Sequence, residues 1–298
     1  MKLKNLKNLP VFDKITLLMN RVYPSWAENK IDSLLFMMNR RGRSSPRAPR
    51  GFEQKYFKTK DGELNAYMIG RGPAIVFVHG WGGGAYQFFS LMRGLKECGF
   101  RAIAFDHLGH EASEHKPATI EQMIRSTNVI LGTVKNQHQE GLYSIVTHGI
   151  GAMVVTNAQK DLIRDVPLFL IAPVFNYRFY FLKLLGGLNM HSSLVKQYAQ
   201  QFSANYKAKY ARMELAKTLK PHADSTVIVH DHNDSVTPIA DSIKFTGEHP
   251  LTKLLATRKF DHQRIITSES AWQELKSHIN YEDTTINFSS MIVEDAKF

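Results

Sequence analysis

Four stretches of this chain gather residue types capable of chemistry. His79-Gly80-Trp81-Gly82-Gly83-Gly84 follows the apolar run 75–78, and Thr147-His148-Gly149-Ile150-Gly151 ends the apolar run 142–147. His230-Asp231-His232-Asn233-Asp234 follows 227–229, and Phe260-Asp261-His262-Gln263 comes last. Imidazoles and carboxylates together suit proton transfer or metal ligation. His230, Asp231, His232 and Asp234 can be drawn as ligands, as can His79 with His148. Neither set matches a tight zinc spacing, so no metal and no other cofactor is expected. Side chains able to attack a carbonyl are few. Thr147 belongs under its turn by strand alternation, and Ser144 lies deeper in the same strand. Cys98, the single cysteine, falls at a predicted helix end and reads as structural.

The elements that must position these residues follow from periodicity. Strands are predicted at 54–58, 63–69, 74–78, 101–105, 142–147, 167–171, 226–230 and 252–257. Helices are predicted at 84–97, 119–136, 150–160, 238–247 and 263–278. Alternation of this kind implies an α/β fold, with a mostly parallel sheet covered by helices on both faces. Asp61-Gly62 between the first two strands reads as a hairpin at one edge. Stretch 142–155 reads as a buried strand, a sharp turn at Gly149-Ile150-Gly151 and a helix. Between 174 and 222 the rhythm stops. Phe179, Tyr180, Leu182 and Leu185 lead into Val195, Tyr198, Phe202 and Tyr206, which reads as an inserted helical cap. The expected organisation is an extension and linker at 1–50, a core in two parts at 51–173 and 223–280, the cap at 174–222 and a tail at 281–298.

At 298 residues, 43% hydrophobic and 22% charged, the composition is that of an ordinary globular protein. The net charge of +11 is unevenly spread: residues 1–60 hold fourteen Lys/Arg against four Asp/Glu, whereas the rest hold 24 against 23. Apolar residues at helical spacing (Ile15, Leu18, Met19, Val22, then Ile31, Leu34, Leu35, Met38) are divided by Pro24. The favoured reading packs this arm on the body with its charges solvated. The other places it on an anionic surface, peripheral to a membrane, or on a protein partner. Nucleic acid is not an expected partner, because aromatic and basic residues do not interleave. No run reaches the roughly 18 apolar residues of a membrane span, and Asp13-Lys14 interrupt the start as a signal peptide, so a cytoplasmic protein is expected.

The four stretches, in this order at strand ends, resemble the α/β-hydrolase family over roughly residues 54 to 280, and in particular its bacterial members with an N-terminal helical extension. The His-Gly loop resembles the one that supplies an oxyanion-hole N–H, which places Trp81 and Ile150 as donors and His79, Gly80 and His148 along the pocket. Asp106-His107-Leu108-Gly109-His110-Glu111 resembles a second family loop, with Glu111 in place of a glycine; His107 and His110 orient that loop. The resemblance implies Asp234 as the acid and His262 as the base, with Asp261 replacing a usual glycine. Acid before histidine is the family's chain order. Thr147-His148-Gly149-Ile150-Gly151 resembles the Gly-x-Ser-x-Gly nucleophile elbow, with Gly149 where the serine belongs.

The expected protein is therefore a relative of carboxylic-ester hydrolases that keeps a pocket for a small apolar or acyl-type ligand but is impaired in hydrolysis. The alternatives are an active hydrolase, or a serine-independent enzyme in which the His262–Asp234 pair is the general base.

Overall fold

The computed structural model describes residues 48–114, 119–137, 141–186, 196, 199–200 and 210–280. The basic arm, most of the expected cap beyond residue 186 and the tail at 281–298 lie outside the described residues.

Eight strands form one sheet in the order β1-β2-β4-β3-β5-β6-β7-β8. They are β1 (Glu53–Lys58), β2 (Glu63–Ile69), β3 (Ala74–Val78), β4 (Arg101–Phe105), β5 (Leu142–His148), β6 (Leu168–Ile171), β7 (Thr226–Asp231) and β8 (Lys253–Thr257). The β1–β2 hairpin is antiparallel, and β2 runs antiparallel to β4; all other pairings are parallel. The described helices are α1 (Phe89–Glu97), α2 (Ile120–Gln137), α3 (Gly151–Thr156), α4 (Lys160–Ile163), α5 (Tyr177–Gly186), α6 (Leu215–Thr218), α7 (Ile239–Glu248) and α8 (Glu269–His278).

β3 shows why this sheet is covered on both faces. All five of its side chains are buried, and alternate residues enter different clusters. Ala74, Val76 and Val78 join a layer with Met123, Ile130 and Leu131 of α2 and with the α3 residues Ala152 to Val155. Ile75 and Phe77 join a layer with Leu91, Met92 and Leu95 of α1 and with Ala271, Trp272 and Leu275 of α8. A continuous apolar run is the signature of such a doubly covered strand. The helix predicted at 150–160 is divided: α3 ends at Asn157, whose side-chain amide donates to the Met153 carbonyl. The helix predicted at 263–278 opens with a separate 3₁₀ turn at Arg264–Thr267, and Ser268 then caps α8 by accepting from the Ala271 N–H. Residues 220–225 also form a 3₁₀ turn.

Candidate active site

Parallel strands β3, β5 and β7 deliver their C-terminal ends to the same side of the sheet, where βα connections place functional groups. The turn after β5 has Gly149 at φ +56°, a left-handed conformation that glycine adopts without steric cost. Its N–H donates to the Ile171 carbonyl (3.0 Å), and its carbonyl accepts from the Val174 N–H (3.2 Å). Gly151 must also be small: a Cβ there would lie 2.4 Å from the Val78 carbonyl oxygen. A Cβ on Gly80 would lie 2.9 Å from the His148 carbonyl oxygen and 3.4 Å from the Ile150 nitrogen, so the His-Gly loop rests directly on this turn.

At the ends of β7 and β8, Asp231 ties one connection to the next. Its Oδ2 accepts from Thr257 Oγ1 and from the Lys259 and Phe260 N–H groups (2.5, 2.9 and 2.9 Å). This brings residue 262 beside residue 234, although 28 positions separate them in the chain. His262 Nδ1 donates to Asp234 Oδ2 at 2.7 Å. That bond fixes the tautomer and leaves Nε2 as the acceptor nitrogen. A Cβ built on Gly149 would stand 3.4 Å from this Nε2. The structure thus brings Gly149, Asp234 and His262 together.

Asp234 is held from several sides. Oδ1 accepts from the Val236 and Thr237 N–H groups (2.7 and 2.8 Å), and Oδ2 also accepts from Thr237 Oγ1 (2.8 Å). His230 Nε2 approaches Oδ2 at 3.3 Å. Burial alone would raise the Asp234 pKa; the hydrogen bonds from His230 and His262 outweigh it and hold the carboxyl well below the usual range. His230 and Thr237 are partners that motif reading passes over. The only trace of them in the sequence is their spacing, four before and three after Asp234.

His148 has a definite task. Its Nε2 donates to the His262 carbonyl (2.9 Å), and the two rings lie 4.5 Å apart. Burial, with the neighbouring His262 charge, lowers its pKa to about 3, so it stays neutral. His79 Nδ1 donates to the Gly80 carbonyl (2.7 Å), and its Nε2 accepts from the His107 N–H (2.9 Å). His110 Nδ1 donates to the Leu108 carbonyl, while its Nε2 accepts from the Gly82 N–H at 3.4 Å. Trp81 stands edge-on to the His110 ring. Asp106 accepts from the Ala85 N–H (2.7 Å), and burial pushes its pKa up to about 6. Glu111 has φ +37°, so the loop keeps a backbone conformation that favours glycine at the position where glycine is replaced. Gln87 Nε2 donates to Gln263 Oε1 at 2.5 Å, joining the turn after the His-Gly loop to the loop that carries His262.

The other chemistry-bearing residues lie elsewhere. His232 is exposed while His230 is fully buried, and no group of three or more potential ligands forms a metal cluster among the described residues. Thr147 is fully buried in β5, where it pairs with Val78. Ser144 Oγ donates to the Pro167 carbonyl and contacts His278 Nε2 at 2.9 Å, which latches the end of α8 to the sheet. Cys98 closes the C-terminus of α1.

No curated protein matches the chain by sequence. A family model described as alpha/beta hydrolase fold matches residues 73–158. Among solved structures, the thioesterase domain from the curacin biosynthetic pathway is similar with a TM-score of 0.55 at 15% identity, over 77% of this chain and 99% of that one. Est1E from Butyrivibrio proteoclasticus gives 0.55 at 16%, over 76% and 99%. The Pyrococcus furiosus esterase Pf2001 gives 0.60 at 13%, over 77% and 92%. With the strand order and the three loops at the strand ends, these likenesses lead to one conclusion: the chain is an α/β-hydrolase-fold protein.

Proposed function

We propose that this protein binds a small acyl-type compound, an ester or thioester, between the His-Gly loop and the turn at Gly149, and that it does not form an acyl-enzyme. The observation that carries this reading is the approach of His262 Nε2 to the Cβ position of Gly149, at 3.4 Å, with no hydroxyl between them. Without a side-chain nucleophile the covalent route is closed. In a serine protease that loss is worth about 10⁶ in turnover, or about 8 kcal/mol of barrier. An acyl-type ligand is supported by the similarity to a thioesterase domain and an esterase. The backbone N–H groups of Trp81 and Ile150 are assigned to its carbonyl oxygen, with His79, Gly80 and His148 around them.

A second reading makes His262 the general base of a serine-independent reaction. It is favoured by the full set of donors kept on Asp234, which a binding pocket alone does not require.

The test is turnover of short and medium acyl p-nitrophenyl esters by the native chain, Gly149→Ser and His262→Ala. Near-inert native protein with an active serine variant supports the first reading. Ordinary enzyme rates in the native chain, abolished in His262→Ala, would replace it with the second.

A further inference from the structure

The face of the sheet covered by α2 holds one charge among apolar neighbours. Alternate residues of β4 share a face, and Ile103 and Phe105 of that set enter the core. Arg101 is the first member of the set. Its side chain is only 15% exposed. Nη1 donates to the Gly70 carbonyl (3.0 Å), and Nη2 donates to Glu53 Oε2 (2.8 Å). Nε is buried and has no hydrogen-bond partner. A guanidinium does not give up its proton, so this Nε–H is always a donor. Buried donors are almost always met, and an unmet one calls for an acceptor.

A cavity of about 160 Å³ lies against the same side chain, where α2 ends at Gln137 beside the β1–β2 hairpin. Phe57, Met68 and Ile103 from the strands, with Ile130 and Val134 one turn apart on α2, make its walls apolar. An apolar cavity of about 150 Å³ holds one benzene molecule, so a chain of about six carbons fills this one. The charges around it do not cancel. Arg101 is paired with Glu53, and that hydrogen bond holds the Glu53 carboxyl below its usual range and therefore ionised. Lys55, the exposed member of the lining, makes no hydrogen bond or ion pair among the described residues. One positive charge is left over.

We propose that this cavity binds a short-chain monocarboxylate of about four to six carbons, its chain between α2 and the hairpin and its carboxylate on Arg101 Nε–H beside the Lys55 ammonium. A neutral alcohol of the same length would accept from Nε–H but leave Lys55 unmatched. A dicarboxylate would bury its second charge among Phe57, Ile130 and Val134, where nothing compensates it. The site stands at the opposite end of the strands from the candidate active site. Arg101 opens β4 and Gly149 follows β5, and both strands run parallel to β3. The proposal therefore does not rest on the reading of Gly149.

The experiment uses the full purified chain. The Nε–H resonance of Arg101, assigned by its loss in Arg101→Lys, is followed by NMR during titration with sodium hexanoate. Hexan-1-ol and sodium acetate serve as the probes without charge and without a chain. A saturating shift is expected with hexanoate, and the two other probes should bind more weakly by about tenfold or more, the loss of a hydrogen bond to a charged group. Val134→Phe fills the cavity and Lys55→Glu reverses the charge beside it; each should weaken hexanoate by about tenfold or more. Lys55 is exposed on an edge strand, so its variant keeps the test open if Val134→Phe does not fold. A shift linear in hexanoate, or one with the same midpoint in Lys55→Glu, overturns the site. Hexan-1-ol binding as tightly as hexanoate overturns the carboxylate assignment. Hexanoate that moves the His262 ring resonances and leaves Arg101 unchanged is bound at the active-site turn, and that outcome also overturns the proposal.

Discussion

His230 Nε2 stands 3.3 Å from Asp234 Oδ2, the same oxygen that His262 Nδ1 reaches at 2.7 Å. One carboxylate oxygen thus serves two buried imidazoles. His230 is held in turn by Ser242 Oγ at its Nδ1 (2.8 Å) and by the Thr237 carbonyl at its Nε2 (3.1 Å). Removing it as His230→Leu leaves a buried carboxylate short of one partner, and stability falls by about 2 kcal/mol, the typical cost of losing a buried partner of a charged group. His230→Gln keeps a donor and should recover part of that loss. A His230→Leu variant as stable as the native chain in chemical denaturation would show that His230 does not support Asp234.

Acid should unfold this protein early. Burial is the first cause in each case: it holds His79 and His107 well below the ordinary histidine value, lowers His110, and takes His148 to about 3. The unfolded chain binds these protons from about pH 6.5 downward and the folded chain does not. Stability is therefore lost as pH falls below about 6.5, at up to about 1.4 kcal/mol per pH unit for each ring. Asp106 has the opposite sign, since its folded pKa of about 6 lies above the unfolded value. It offsets one ring, between about pH 6 and 4. Tm measured from pH 8 to 4 should drop steeply below about 6.5; a flat profile would contradict neutral buried rings.

Gly94 lies inside α1, where alanine is ordinarily better by about 0.5–1 kcal/mol. Here a Cβ would stand 2.6 Å from the ring of fully buried Trp272. Overpacking costs about 1–3 kcal/mol, so the clash outweighs propensity and Gly94→Ala is destabilising on balance. Chemical denaturation of the variant gives the sign.

Gly149→Ser should fold. Its Cβ meets nothing closer than 3.4 Å, and the remaining cost is the left-handed backbone at φ +56°, about 1–2 kcal/mol. A drop in Tm of a few degrees together with a gain of at least a hundredfold in p-nitrophenyl ester turnover is the expected result. A variant that is stable and inert would show that His262 and residue 149 do not form a working pair.

Gly151→Ala differs from Gly149→Ser although both alter the same turn. Its Cβ would meet the Val78 carbonyl oxygen at 2.4 Å, and a backbone atom of a central strand cannot move aside cheaply. Loss of several kcal/mol, or no soluble protein, is expected; near-native stability would contradict the close approach of α3 to β3.

The sequence by itself determined the strands, the parallel sheet and the hairpin edge, because burial imposes a period that can be read residue by residue. β2, β3 and β4 begin and end where apolar alternation predicts. It also determined that residue 149 carries no hydroxyl. Gly80 and Gly151 look like loop glycines in the sequence; only packing shows which backbone atoms stand too close for a Cβ. The tertiary structure alone decided that His230 turns inward onto Asp234 while His232 faces solvent, that His148 grips the His262 carbonyl, and that the His262 ring stands at the Cβ position of Gly149. The last two cross more than a hundred residues of chain. They depend on how strand ends are brought side by side, which no local period encodes.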